Sequence, residues 1–323
     1  MATMDRVAPV EEPRPRPGGT GRRRRTWLTD RRMATLFIAP TIILLVAISI
    51  FPLIWSVYLS FTQYKVTGVA APLWVGLNNF RDILTENDLY DNWKQFQFTA
   101  VVVICAVGIE FLLGFGLAML LVRKFPGRGL ILTLMLTPMM LAPVIVGLFW
   151  KFMLDASFGV VNYMQSAWFG LPRVDYLNQP TTATISIIVA DVWMWTPFML
   201  LISVAGLSAI PKYLTEAALV DRASAWFRFR HITLPLVWPL LLIALLFRTI
   251  DAIKLFDLPF TLTGGGPGQA TWTISYTLYQ KAFNDYDTGS ACALAYIILI
   301  MVIALANIYI RNLNKVTAAA TGS

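Results

Sequence analysis

The sequence predicts an all-α polytopic membrane protein with six transmembrane helices and cytoplasmic N- and C-termini. Three observations carry that prediction. Hydrophobic residues make up 57% of the 323, and mean hydropathy is +0.64, above the apolar share of an ordinary soluble domain. Long apolar runs recur along the chain, each of a length that crosses a bilayer. Basic residues crowd into alternate segments between those runs. Arg6, Arg14, Arg16, Arg22 to Arg25, Arg31 and Arg32 precede the first run. Arg123, Lys124 and Arg128 follow the second, Lys212, Arg222, Arg228 and Arg230 the fourth, and Arg311 and Lys315 the sixth. The intervening segments hold only Lys65, Arg81, Lys94, Arg173 and Lys281. Such crowding marks the cytoplasmic face. The net charge of +8 is thus a topology signal, not a nucleic-acid footprint.

Residues 1–30, rich in Pro, Arg and Gly, read as a disordered basic cytoplasmic tail. They do not read as a cleaved signal peptide, because the apolar run begins only near Thr35 and is too long for one. The first span is expected over Ala34–Phe61, with Pro40 and Pro52 inside it, and an outer segment follows to Phe98. The second covers Thr99–Val122 and turns in the cytoplasm around Pro126 and Gly127. The third covers Leu130–Leu154, broken by Pro138 and Pro143, with an outer loop to Thr182. The fourth is Ala183–Ile210 and the fifth Leu236–Phe256. An outer loop then reaches Gly289, and the sixth span is Ala291–Ile310. The membrane domain is therefore residues 31–315, followed by a C-terminal tail, 316–323. Cys105 and Cys292 both lie in apolar runs, which excludes a disulfide framework or a metal cluster and reads them as small core residues.

Between the fourth and fifth spans lies LTEAALVDRASAWFRFRHITLPLVWP, Leu214 to Pro239. Glu216, Asp221, Arg222, Arg228, Arg230 and His231 keep this stretch out of the bilayer. Ala217, Ala218 and Leu219 favour a short helix. Pro235 disfavours α conformation at Leu234 and predicts a bend before a second helix. A compact small-residue helix on the cytoplasmic face suits a groove on a soluble partner, unless the segment is an ordinary amphipathic loop.

Charged groups inside spans are costly and face a cavity or one another. In the fifth span Arg248, Asp251 and Lys254 follow at steps of three, so Arg248–Asp251 and Asp251–Lys254 pairs are both possible. They read either as the polar wall of a path or as an ion-pair ladder against another helix. In the fourth span Asp191, Met194, Trp195 and Phe198 share a helical face. A carboxylate beside aromatic rings suits a sugar, whose C–H face stacks while its hydroxyls bond. Trp193 is assigned to interior packing, and Pro197 is a potential kink. Gly264 to Gly266 and Pro267 form a loop tip; no Gly-Lys-Ser/Thr follows, so this is not a P-loop. The sole histidine, His231, reads as a loop or interface residue.

The cytoplasmic stretch resembles the coupling loop of ABC importer permeases in Glu216, Ala217, Ala218, Asp221, Ala223, Ile232, Leu234 and Pro235. One position departs: the family carries Gly after the Asp, and here Arg222 stands. Gly reaches positive φ cheaply and Arg does not, which leaves open whether this bend is built another way. Gly76, Leu77, Asn79 and Phe80 are similar to the same family's first outer loop, and FGVVN and VWMWTPF are family-like too. Phe256, Asp257, Leu262, Thr263, Gly265, Gly266, Pro267, Thr271, Phe283 and Gly289 resemble its carbohydrate-uptake branch, whose substrates include maltose, trehalose, glycerol phosphate and polyols. The likeness covers nearly everything after residue 30.

That resemblance implies a type I ABC importer permease fold in a bacterial cytoplasmic (inner) membrane, embedded in its lipid. It implies carbohydrate import, a disaccharide or polyol foremost, by alternating access. It also implies a second homologous permease, two ATP-binding subunits docked on the coupling loop 211–235 at Glu216, Ala217, Ala218, Asp221, Arg222 and Ala223, and an extracytoplasmic sugar-binding protein. No nucleic acid, metal or cofactor is expected on this chain; ATP and Mg²⁺ belong to the partner, and the chain is not itself an enzyme. Substrate contacts in the maltose permease match Asp191, Met194, Trp195, Phe198, Arg248, Asp251, Ala252 and Leu255, with residue types that differ markedly. The stretch Met139 to Val144 matches less well. Arg248 and Lys254 also leave an anionic sugar phosphate open. Two rivals are an intramembrane enzyme and an ion-coupled transporter using Asp191 and Asp251. Against the enzyme stands the lack of paired catalytic carboxylates or metal-ligand spacing, and both rivals leave the coupling stretch unexplained.

Overall fold

The computed structural model describes residues 30–68, 71–85, 90–123 and 125–321. The predicted N-terminal tail, apart from Asp30, lies outside the described residues. The chain forms two units, one ending at Leu53 and the other running Ile54–Ser323. The first contains helix α1 (Asp30–Leu45) and the wide turn Val46–Ile50. Helix α2 (Phe51–Ser60) straddles the division, and the second unit holds the helices after it: α3 (Asn78–Leu84), α4 (Asn92–Leu121), α5 (Arg128–Leu136) and α6 (Pro143–Met153). They continue with α7 (Val160–Phe169), α8 (Pro180–Ser208), α9 (Lys212–Val220), α10 (Ala225–Arg228), α11 (Leu234–Ile253), α12 (Ile274–Tyr279) and α13 (Thr288–Thr321). Strands β1 (Thr62–Gln63) and β2 (Leu73–Trp74) pair antiparallel in the first outer segment.

Among the described residues, five helical runs are long and apolar enough to cross a membrane: Met33–Ser60, Asn92–Leu121, Pro180–Ser208, Ala225–Ile253 and Thr288–Val316. They match the predicted first, second, fourth, fifth and sixth spans. The predicted third span is not one continuous helix. Its residues form α5, a tight turn at Pro138–Met140, and α6. Pro138 and Pro143 each remove a backbone donor and clash with the turn before them, which ends α5 and restarts the chain at α6. Several boundaries also move outward. The second span begins at Asn92 rather than Thr99, because Asp91 caps it by accepting the Lys94 N–H at 3.2 Å. The Lys94 ammonium on the Asp91 carboxylate, 2.6 Å away, also holds that carboxyl below its ordinary range. At the other end, α13 continues helical through the predicted C-terminal tail as far as Thr321.

One predicted bend is absent, and α8 stays helical through Pro197. Leu234 is helical at φ −62°, ψ −46°, so the expected bend before Pro235 does not occur. Instead the turn Phe229–Thr233 widens, and the Leu234 N–H reaches Phe229 O, five residues back. The same device precedes Pro52, where the Phe51 N–H reaches Val46 O. A widened turn gives the proline ring room against the preceding carbonyls, so the helix continues where a regular turn would clash.

The core of the second unit lies where α4, α8, α11, α12 and α13 meet, around Val103, Val107, Met199, Ala244, Ala252, Ile253, Ile274 and Leu294. The α4–α8 crossing is closest at Gly114, where a Cβ would sit 2.6 Å from Met199 Cβ and 2.8 Å from the Leu200 backbone nitrogen. Small residues at such crossings let helices approach to backbone contact in lipid. Gly114→Val is therefore expected to push α4 from α8 and cost about 1–3 kcal/mol, read as a lower melting temperature of the detergent-purified protein. An unchanged melt would mean that the crossing tolerates a wider spacing. Cys105 is exposed and Cys292 half-buried, so the reading of both as core residues is corrected for Cys105. It points outward from α4, a position open to any apolar residue in a lipid-facing helix.

The outer segments are tied to the spans by buried polar groups. Asn79 donates to Ser60 O and Thr62 O, both at 2.9 Å. The Ile274 N–H donates to Thr99 Oγ1 at 2.9 Å, and Thr273 Oγ1 donates to Leu255 O at 2.6 Å. Gly289 passes so close to β1 that a Cβ would fall 2.1 Å from Thr62 O.

Candidate functional site

Three spans converge on one guanidinium. Arg248 of α11 is buried, and its Nε donates to Glu110 Oε2 of α4 at 2.7 Å. Its Nη2 donates to Glu110 Oε1 at 2.9 Å and also to Asp191 Oδ2 of α8. Its Nη1 donates to Asp251 Oδ2 at 3.2 Å, one turn further along α11. The Glu110 contact is a bidentate fork, the strongest geometry available to this pair. The Trp195 ring lies against the guanidinium, with Arg248 Cζ 5.1 Å from its centroid, a cation–π contact in a desolvated setting. Glu110 and Asp191 are fully buried, whereas the Asp251 side chain is 51% exposed. No donor reaches Asp191 Oδ1 among the described residues.

This places the sequence-predicted residues in three groups. Asp191, Trp195, Arg248 and Asp251 come together as one polar cluster. Phe198 stands edge-on to Trp195, centroids 6.4 Å apart. Met194 and Ala252 are buried in packing instead: Met194 with Val146, Ala190 and Leu258, Ala252 in the main core. Leu255 is half-buried beside Met194. The Arg248–Asp251 pair forms. Lys254 makes no ion pair with Asp251; it lines a separate apolar hollow with Ile250, Tyr279 and Leu299. Trp193, assigned to the interior, is 37% exposed and meets Trp150 edge-on at 6.1 Å. Two residues apart on α8, the two rings leave nearly opposite faces of the helix, and Trp195 is the one that meets Arg248.

Glu110 is the member that sequence reasoning missed. Its signal was present: it is the only acidic or basic residue between Lys94 and Arg123, in an otherwise apolar run. An isolated carboxylate there demands a partner, and Arg248 is the buried cation that answers it.

The stretch between the fourth and fifth predicted spans also has a defined geometry. α9 ends in a Schellman motif: the Ala223 N–H donates to Ala218 O at 2.9 Å and the Arg222 N–H to Leu219 O at 3.0 Å. The bend thus lies at Asp221–Ser224, and it uses a left-handed residue after all, Arg222 at φ 56°. Ser224 then caps α10, accepting the Phe227 N–H at 3.2 Å. A left-handed non-glycine residue costs roughly 1–2 kcal/mol, so Arg222→Gly is expected to recover about 1 kcal/mol of local stability. Slower amide exchange at Ala223 would show it, and faster exchange would rule it out. Glu216, Ala217, Asp221 and Arg222 are exposed, Ala223 is half-buried, and Ala218 packs inward. An open hollow lies beside them, lined by Leu214, Ala217, Ala218, Asp221, Phe227 and Ile232. Leu219, Val220, Tyr213 and Trp226 project outward around it. His231 stacks on Phe227 at 4.3 Å, with no acid–base partner beyond the Phe227 carbonyl at 3.2 Å.

Comparison with known proteins places the chain in a family. The trehalose/maltose transport system permease protein MalF of Thermococcus litoralis is 35% identical over 283 residues, covering 87% of this chain and 94% of that protein. The sn-glycerol-3-phosphate transport system permease protein UgpA of Agrobacterium fabrum is 32% identical over 289 residues, covering 87% and 94%. Among solved structures, a bacterial ABC transporter involved in import of the acidic polysaccharide alginate shares the fold. Its TM-score is 0.76 at 22% identity, covering 88% of this chain and 96% of that one. Residues 110–316 match the family described as binding-protein-dependent transport system inner membrane component. With more than half its length inside that match, and with relatives of this identity over nearly their whole length, the chain belongs to that family of inner-membrane permease components.

Proposed function

We infer that this chain is the permease subunit of an ATP-driven carbohydrate importer, receiving its sugar from an extracytoplasmic binding protein. The observation that carries the substrate class is the set of relatives at 30–36% identity, most of them named for sugar, oligosaccharide or glycerol-phosphate transport. The Trp195, Phe198 and Asp251 surroundings support it, since aromatic faces and an exposed carboxylate suit a ring with C–H faces and hydroxyl edges. Two ATPase subunits would seat α9 and the hollow beside it, and a second permease would complete the path. ATP is hydrolysed on those partners.

In this reading α9 acts as a rigid lever. It is held at one end by the Schellman turn and at the other by Pro211 before its first residue. Closure of the ATPases displaces it, and the continuous helix Ala225–Ile253 transmits the shift to Arg248 and Asp251 at its far end. The site is then exposed to alternate sides by rocking of packed helices.

The test is ATPase activity of the reconstituted complex with its binding protein, across neutral sugars, polyols and sugar phosphates. Stimulation by one carbohydrate, lost in Glu216→Lys, is the expected result. A full complex that responds to no carbohydrate would refute the substrate class, and coupling that persists in Glu216→Lys would refute the role of α9.

A further inference from the structure

Resting on the carbohydrate reading, we propose that the path selects neutral saccharides against anionic ones, and that Glu110 is the positioning residue that sets this. The argument begins with a donor count. A guanidinium has five N–H groups. Four are committed: one Nε and one Nη2 bond to Glu110, the second Nη2 bond to Asp191, and one Nη1 bond to Asp251. Trp195 covers one face of the same group. What remains is a single Nη1 N–H, whereas a phosphate or carboxylate is gripped by a free two-pronged edge. Arg248 is therefore spent on the protein.

Charge points the same way. Three carboxylates, Glu110, Asp191 and Asp251, converge on one cation, and a proton held on any one of them still leaves the cluster without net positive charge. The charged and aromatic groups facing Arg248 come from three helices: Glu110 from α4, Asp191 and Trp195 from α8, Asp251 from α11 itself. Lys254 lines a different hollow and does not offset them. The one charged group of the cluster open to a ligand is the Asp251 carboxylate, 51% exposed, which accepts hydroxyl hydrogen bonds and repels an anion. The site offers acceptors and an aromatic face, the complement of an uncharged polyol.

The experiment measures uptake into proteoliposomes carrying the full permease–ATPase complex with its binding protein. Each transported neutral sugar is paired with its uronate or phosphate counterpart at saturating concentration. Wild type is expected to take up the anionic member at least about tenfold more slowly. Glu110→Gln replaces a two-oxygen acceptor by a single one and frees part of the guanidinium, and is expected to raise the anionic-to-neutral ratio by about tenfold, the scale of one charge-assisted hydrogen bond. Asp251→Asn, at a half-exposed position that does not threaten folding, is expected to raise the ratio in the same direction and decides the matter if Glu110→Gln fails to assemble. Equal wild-type uptake of both members, or a ratio that neither variant changes, would overturn the proposal and leave the importer reading intact. Failure of every carbohydrate in wild type would instead strike the importer reading.

Discussion

Arg248→Met is expected to abolish folded, assembled protein. The variant leaves Glu110 and Asp191 buried with no cation between them, and stripping one partner from a buried charged network costs about 3–5 kcal/mol. That is a large share of the ~5–15 kcal/mol that separates a folded domain from its unfolded state. The expected readout is loss of the monodisperse peak in detergent and of co-purifying partners. The cause can be separated from lost packing by a triple variant, Arg248→Met with Glu110→Met and Asp191→Leu. Replacing a whole buried ionic cluster by apolar groups of similar volume is often neutral or stabilising. The triple variant should therefore recover most of the folded yield while failing in transport, because the guanidinium that holds the Asp251 carboxylate in place is gone. A triple variant as unstable as the single one would show that shape, not unpaired charge, holds these helices together.

Much of this architecture was legible before any coordinates. The order of the five continuous spans follows from apolar length, which is set by the bilayer and not by tertiary detail. What failed was local. Pro235 reads as a bend by its own stereochemistry, yet the widened turn at Phe229–Thr233 absorbs it, a tertiary solution with no sequence marker. An arginine at 222 is no sign of left-handed backbone, although the family's Gly at that position is one, and the two Schellman hydrogen bonds show how the turn is closed there. At the site, helical spacing alone groups Asp191 with Met194, Trp195 and Phe198, and Arg248 with Asp251. It does not reveal that Met194 and Ala252 turn into packing, nor does it join α4 to α11. The Glu110–Arg248 pair is separated by 138 positions in sequence. Periodicity is blind at that range, although the rarity of charge inside spans narrows the candidates.

Val220→Lys is expected to uncouple the permease from its ATPase without disturbing its own fold. Val220 is 83% exposed at the last residue of α9, so the side chain supports no internal contact of consequence. Lysine is chosen deliberately: a cation at a helix C-terminus interacts favourably with the helix dipole, so the change does not weaken the helix. Leu219, Val220, Tyr213 and Trp226 form an apolar surface on a segment too charged to lie in lipid, and such a surface marks a protein interface. Placing a solvated charge at its centre removes apolar burial and introduces a desolvation penalty, a loss of about 2 kcal/mol or more. ATPase retention on the purified permease should fall about thirtyfold or further, while the permease melts at its wild-type temperature. Phe158→Asp, at an exposed apolar position beyond α6 and away from α9 in the sequence, should retain the ATPase in full. If Val220→Lys retains it as well, the docking surface is not the exposed face of α9. The lever would then have to engage through the hollow lined by Ala217, Asp221 and Phe227.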